Sequence, residues 1–118
     1  MAIHNDLGHQ GEQIACDYIL KKGYVILSRN FTHQKSEIDI IAKQDECIVF
    51  IEVKTRRNIL FASPTDAVTD KKIAKLQAGA LHFIEMNQME SEVRFDIISI
   101  ILNENQCEIE HIENAFWN

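Results

Sequence analysis

The alternation of apolar and polar positions is clearest between Ser36 and Arg57, where SEIDIIAKQDECIVFIEVKTRR places two apolar runs on either side of a short polar tip. Ile38, Ile40 and Ala42 alternate with Glu37, Asp39 and Ile41, and Val49, Ile51 and Val53 alternate with Phe50, Glu52 and Lys54. A period of two with β-branched enrichment predicts two strands, and the tip Gln44-Asp45-Glu46-Cys47 is short enough to join them as a hairpin. If the turn is centred between Asp45 and Glu46, Asp39 faces Glu52 and Glu37 faces Lys54. Residues two apart share a strand face, so all four charges are expected on one side. Like charges directly opposed destabilise a sheet, and a buried carboxylate without a partner is costly. A divalent cation would offset the Asp39–Glu52 repulsion. An exposed antiparallel face would also accommodate the charges, and a one-residue bulge would break the register.

Upstream, Asp6 to Lys22 has helical spacing. Asn5 or Asp6 can cap it, Leu7, Gly11, Ile14, Ala15, Tyr18 and Ile19 form one stripe, and Gly23 ends it. Glu12 falls on or beside that stripe, either as a first-turn acid favoured by the helix dipole or as a carboxylate directed into a cleft. Tyr24 to Thr32 reads as the first strand, followed by a polar bend at His33-Gln34-Lys35. After Arg57 the chain is irregular until Ser63 and Pro64 open a helix reaching about Asn87, with a break near Thr69-Asp70 that could cap a second one. Its buried stripe is Ile73, Leu76, Ala80, Phe83 and Ile84, and its length suits a crossover between strands. Val93 to Leu102 is a strand too apolar to be exposed, and Cys107 to His111 is the last strand. The order predicts an α/β sandwich with a central mixed sheet flanked by helices, formed by residues 1–118 as a single domain.

Composition narrows the function classes. Hydrophobic content of 46% and charged content of 25% are those of an ordinary globular protein. No apolar run approaches the roughly 18 residues of a membrane span, so no membrane partner is expected. The opening MAIHNDLGHQGEQ lacks the basic start and apolar stretch of a signal peptide, which leads to the expectation of a cytoplasmic protein. Cys16, Cys47 and Cys107 are odd in number and widely spaced, which argues against a disulfide framework or a zinc site. His4 and His9 miss the helical zinc spacing, and His33, His82 and His111 are isolated. The net charge of −6 argues against a strongly basic nucleic-acid binder, but it is unevenly spread. Lys54, Arg56, Arg57, Lys71, Lys72 and Lys75 outweigh Asp66 and Asp70 between Lys54 and Lys75, leaving the remainder far more acidic. The basic stretch reads either as an anion-binding face or as the solvated edge of a helix.

Asp39, then Glu52-Val53-Lys54 after twelve intervening residues, resembles the active-site signature of the PD-(D/E)xK nuclease superfamily, which has the restriction-endonuclease-like fold. The resemblance narrows to the YraN-like bacterial family, whose members look like Holliday-junction resolvases. It rests on Gly11-Glu12 with Ala15, Gly23-Tyr24, Arg29-Asn30, Glu37-Ile38-Asp39, Phe50 to Lys54 with Arg56, Pro64 with Ala67-Val68, Lys72, and Arg94-Phe95-Asp96. Two positions depart from that pattern, Ser36 and Ala62, where the family usually has glycine.

The resemblance implies a Mg²⁺- or Mn²⁺-dependent endonuclease acting on DNA, including branched or structured DNA. Asp39 and Glu52 would hold the metal with the main-chain carbonyl of Val53, and Lys54 would orient a water or neutralise the transition state. Glu12 would be an outer carboxylate or a second-metal ligand. Glu37 matches the family too, and its opposition to Lys54 suggests an ion pair that positions the lysine. Arg56 and Lys72 would contact backbone phosphates. A homodimer is expected by analogy with enzymes that cut two strands symmetrically. The rival expectations are a binding module with the same fold that does not cut, and an interaction subunit that needs a partner.

Overall fold

The computed structural model describes residues 6–58 and 69–116. The chain runs α1 (Leu7–Lys21), β1 (Val25–His33), β2 (Ser36–Gln44), β3 (Cys47–Arg56), α2 (Asp70–Met86), β4 (Glu92–Asn103) and β5 (Gln106–Ile112). The expected Ser63–Pro64 helix start, and the positions Ala62, His4 and Asn5, lie outside the described residues.

Asp6 caps α1 by accepting the N–H of His9 at 2.7 Å. At the other end Gly23 adopts φ 91, and the N–H of Tyr24 returns to the carbonyl of Ile19 at 3.0 Å, a glycine-dependent helix stop. Thr69 caps α2 through the N–H of Lys72, so the break read at Thr69-Asp70 is a true helix start.

The five strands form one mixed sheet in the order β1-β2-β3-β4-β5. Neighbours are antiparallel except β3 and β4, which are parallel. That is why the segment between them must cross over a sheet face, and α2 belongs to it. Pairing of Ile40 with Ile51 and of Gln44 with Cys47 centres the β2–β3 turn between Asp45 and Glu46, the register expected from the alternation.

Each sheet face has its own core. Ala15, Cys16 and Ile19 of α1 pack on Ile40, Ala42, Val49, Ile51, Ile98 and Ile100. Leu76, Ala80 and Phe83 of α2 pack on Ile38, Ile41, Ile48, Phe50, Phe95 and Ile97. The parity of β3 is regular, but that of β2 is not. Ile40 and Ala42 face α1 and Ile41 faces α2, so strict alternation would turn Ile38 towards α1. Instead Ile38 packs against α2, and a Cβ placed on Gly79 would lie 3.3 Å from its Cδ1. Alternation therefore fails at Asp39. Across from it, Asn30 of β1 takes the left-handed φ of 53 between two regularly paired residues.

Candidate functional site

Pairing of β2 with β3 ends at Ile40–Ile51, one residue short of Asp39 and Glu52. Past that point the strands separate, and Asp39 Oδ2 accepts the main-chain N–H of Val53 at 2.8 Å. A side chain thus takes a donor that a continued ladder would have used. Glu52, one residue earlier on β3, lies on the α2 side and is only 6% exposed. Burial pushes the Asp39 carboxyl up to about 7, and the neighbouring charges of Glu52 and then Glu12 add to the effect against the opposing Val53 hydrogen bond.

Glu12 approaches from the other side. The helix α1 begins at Leu7 and carries no acid in its first turn, so the dipole does not account for Glu12. What brings the helix in is Gly11: a Cβ there would come within 1.7 Å of Thr55 Oγ1 on β3. Glu12 is half-buried, and its Oε1 is buried with no hydrogen-bond partner among the described residues.

A cleft of about 380 Å³ opens over Asp39 and Glu52, with Glu37 at its edge. Lys35, Lys71, Lys72 and Lys75 also line it. The Lys72 ammonium forms an ion pair with Glu52. Four lysines around three carboxylates make this a locally basic rim on a chain of net charge −6. Ser36 is buried at the same rim, with its hydroxyl donating to the carbonyl of Lys75 at 2.8 Å.

The expected site residues are thus only partly assembled. Asp39, Glu52, Lys72 and Glu37 meet at the cleft, and Glu12 is near enough to act on Asp39. Lys54 is half-buried with its Cα opposite Ser99 of β4, and it does not line the cleft. The Glu37–Lys54 ion pair suggested by the register is not formed. The strands have parted before either residue, and Glu37 instead lies opposite Thr32 of β1. The reversal at Asp39 also removes the basis for placing all four charges on one strand face. Lys72, expected to hold phosphate, is instead on Glu52. Arg56 is half-buried at the end of β3, opposite Ile101. Among the described residues no three His, Cys, Asp or Glu side chains are arranged to enclose a metal. Lys35 belongs by pattern only to its polar bend, and no spacing rule joins it to α2.

A second polar cluster centres on the wholly buried Asp96. Asp96 accepts from Arg94 Nε and from its terminal amino group, both at 2.8 Å, and from the N–H of Asn114 at 3.0 Å. His111 Nε2 lies 2.7 Å from the same carboxylate, and Arg94 also donates to Tyr24 Oη at 2.8 Å. Burial alone would raise the Asp96 carboxyl, but the hydrogen bonds from His111, Arg94 and Asn114 outweigh it and hold it below the usual range. This cluster ties β4, β5 and the following turn together.

The fold and cleft define an α/β protein whose central mixed sheet parts at a carboxylate pair, Glu52 buried and Asp39 half-buried, beneath a lysine rim. Residues 11–100 match the uncharacterised protein family UPF0102, and the chain belongs to that family. It is 45% identical over 118 residues to a UPF0102 protein of Flavobacterium psychrophilum, covering 100% of this chain and 99% of that one. A UPF0102 protein of Christiangramia forsetii is 45% identical over 117 residues, covering 99% and 98% of the two chains. One from Thermodesulfovibrio yellowstonii is 49% identical over 112 residues, covering 95% and 96%. No helix among the described residues is long and apolar enough to cross a membrane.

Proposed function

We propose that this protein is a divalent-cation-dependent endonuclease of the PD-(D/E)xK class, with a restriction-endonuclease-like sheet, acting on DNA. The observation that carries this reading is the meeting of Asp39 and Glu52 where the β2–β3 pairing ends, in a cleft rimmed by lysines. A buried Glu52 beside a half-buried Asp39 favours a cation: burial and then the charge of Glu52 raise the Asp39 carboxyl. The donor set fits Mg²⁺ or Mn²⁺, which are often held by one or two carboxylates and several waters. Glu12 Oε1, buried without a hydrogen-bond partner among the described residues, fits an outer carboxylate in the same role. Asp39 and Glu52 would hold the ion, with the Val53 carbonyl as a further donor. When bound, it would supply an activated water and charge stabilisation at the phosphoryl oxygens.

The chain's own residues supply the rest. The Val53 N–H fixes the Asp39 carboxylate in one orientation, which is preorganisation for ligand binding. Lys35, Lys71, Lys72 and Lys75 offer ammonium groups to backbone phosphates, which sets position without reading sequence. Lys54 would stabilise developing charge after a side-chain movement towards the cleft. Symmetric cutting of branched DNA would require two copies of the chain.

The experiment is cleavage of single-stranded, duplex and four-way-junction DNA, with RNA alongside, in Mg²⁺ or Mn²⁺. Wild type should cut at least one DNA substrate, and Asp39→Ala and Glu52→Ala should each abolish the cut. Equal residual cleavage by all three proteins would sink the reading. A specific observation favours a second one: the Lys72–Glu52 ion pair satisfies Glu52 without a metal. A binding module would show salt-sensitive DNA affinity with no cleavage in any metal.

A further inference from the structure

The ion pair between Lys72 and Glu52 joins two residues with different expected ligands, one a cation and the other a phosphate. Glu52 is almost wholly buried, whereas the Lys72 side chain is 44% exposed. The two ends of the pair therefore differ in freedom. The carboxylate is held in β3 between paired residues, while the lysine reaches in from the first turn of α2 on a flexible stem. Lys71 and Lys75 line the same cleft and form no ion pair among the described residues.

We propose that Lys72 is a tethered counter-ion that exchanges between Glu52 and a substrate phosphate. With the cleft empty of ligand, its ammonium neutralises Glu52. A divalent cation and the ammonium compete for that carboxylate, so entry of one releases the other. The released ammonium stays at the cleft rim, where a backbone phosphate can pair with it. Phosphate binding in turn draws Lys72 off Glu52 and opens the carboxylate to the cation. Each ligand therefore strengthens the other, and by linkage the factor is the same in both directions. The proposal rests on the metal-dependent reading above. It adds an internal occupant of the cation site and a coupling between the two ligands.

The exchange makes a signed prediction that a plain phosphate-binding lysine does not. Removing Lys72 should tighten the cation and weaken DNA. The test is a Mn²⁺ titration of the full chain, followed by thermal stability and by calorimetry without nucleic acid, on wild type, Lys72→Met, Lys72→Arg and Lys75→Met. Circular dichroism checks that each variant folds. Lys72→Met should bind Mn²⁺ at least fivefold more tightly than wild type, and Lys75→Met should change it less than twofold. Lys72→Arg should bind no more tightly than wild type, because a guanidinium keeps the pair. In saturating Mn²⁺, Lys72→Met should bind a four-way-junction DNA more weakly than wild type.

A Mn²⁺ response in Lys72→Met with none in wild type would support the proposal in its strongest form, with the lysine holding the site closed. If wild type and Lys72→Met bind Mn²⁺ equally, the exchange is overturned while the metal site stands. Equal tightening by Lys72→Met and Lys75→Met would also overturn it, since that reflects bulk charge alone. If no variant responds to Mn²⁺, both the exchange and the metal-dependent reading fall.

Discussion

The hydroxyl of Ser36 donates to the main-chain carbonyl of Lys75, tying the first residue of β2 to the helix that crosses it. One helical turn further on, a Cβ added to Gly79 would meet Ser36 Oγ at 3.0 Å, so the helix sits close because Gly79 has no side chain. Ser36 thus has a defined partner, and it holds the end of α2 that bears Lys72. Ser36→Ala should destabilise by about 1 kcal/mol, the usual net worth of such a bond. Ser36→Gly should cost up to about 1 kcal/mol more through strand entropy. Urea unfolding checks both, and an unchanged midpoint in both variants would show that the tie contributes nothing.

Gly11 seats α1 on β3. An alanine there would meet Thr55 Oγ1, Cβ and Cγ2 at 1.7, 2.8 and 2.9 Å, all too close to accommodate without movement. Helix propensity alone would favour Gly11→Ala by about 1 kcal/mol. Overpacking opposes it by about 1–3 kcal/mol, so the variant should lose stability and shift Glu12 relative to Asp39. A more stable Gly11→Ala protein would contradict this seating of the helix.

Asp39 ties stability to pH through its carboxyl, raised to about 7 by burial and by Glu52. The folded state holds the proton more tightly than the unfolded chain, whose aspartates titrate near 4. The resulting stability is therefore fully present below about pH 4 and is lost as pH rises through about 7. Asn at this position can still accept the Val53 N–H but carries no charge. Asp39→Asn should flatten the stability profile between pH 4 and 7 and gain about 1–3 kcal/mol at pH 8. It should also remove any increase in Tm caused by Mg²⁺. A steep pH profile retained in the variant would locate the titration elsewhere.

Asp96 behaves in the opposite sense. Its carboxyl is held below the usual range, so the stability it contributes is present above the unfolded value and is lost as pH falls through the folded one. Asp96→Ala removes the carboxylate that the buried His111 and the mostly buried Arg94 share, and should cost about 3–5 kcal/mol. Unfolding midpoints from pH 2 to 7 would show wild type falling steeply at the acid end and the variant already low throughout. A near-neutral substitution would mean that the cluster is not formed as described.

The strands around the β2–β3 turn, their register, the caps of α1 and α2, and the crossover between parallel strands all follow from local patterns. A period of two, a capping threonine and a helix-ending glycine act on residues close in sequence, and each needs only the chain beside it. The acid pair was equally legible, because Asp39 and Glu52 become neighbours through one short turn. The Glu37–Lys54 pair failed for a reason that alternation cannot express. The face reverses at Asp39, and pairing ends at Ile40–Ile51, where Asp39 takes the Val53 N–H.

By itself, then, the sequence determined an α/β chain with two acids brought together by a turn. Tertiary structure alone decided which cations face those acids. Lys35 comes from the bend before β2, and Lys71, Lys72 and Lys75 come from a helix packed across the sheet, so their meeting depends on how α2 docks. That docking is set by Gly79, Ser36 and the apolar contacts of Leu76, Ala80 and Phe83, none of which carries a local signal for charge. Long-range packing therefore placed Lys72 on Glu52.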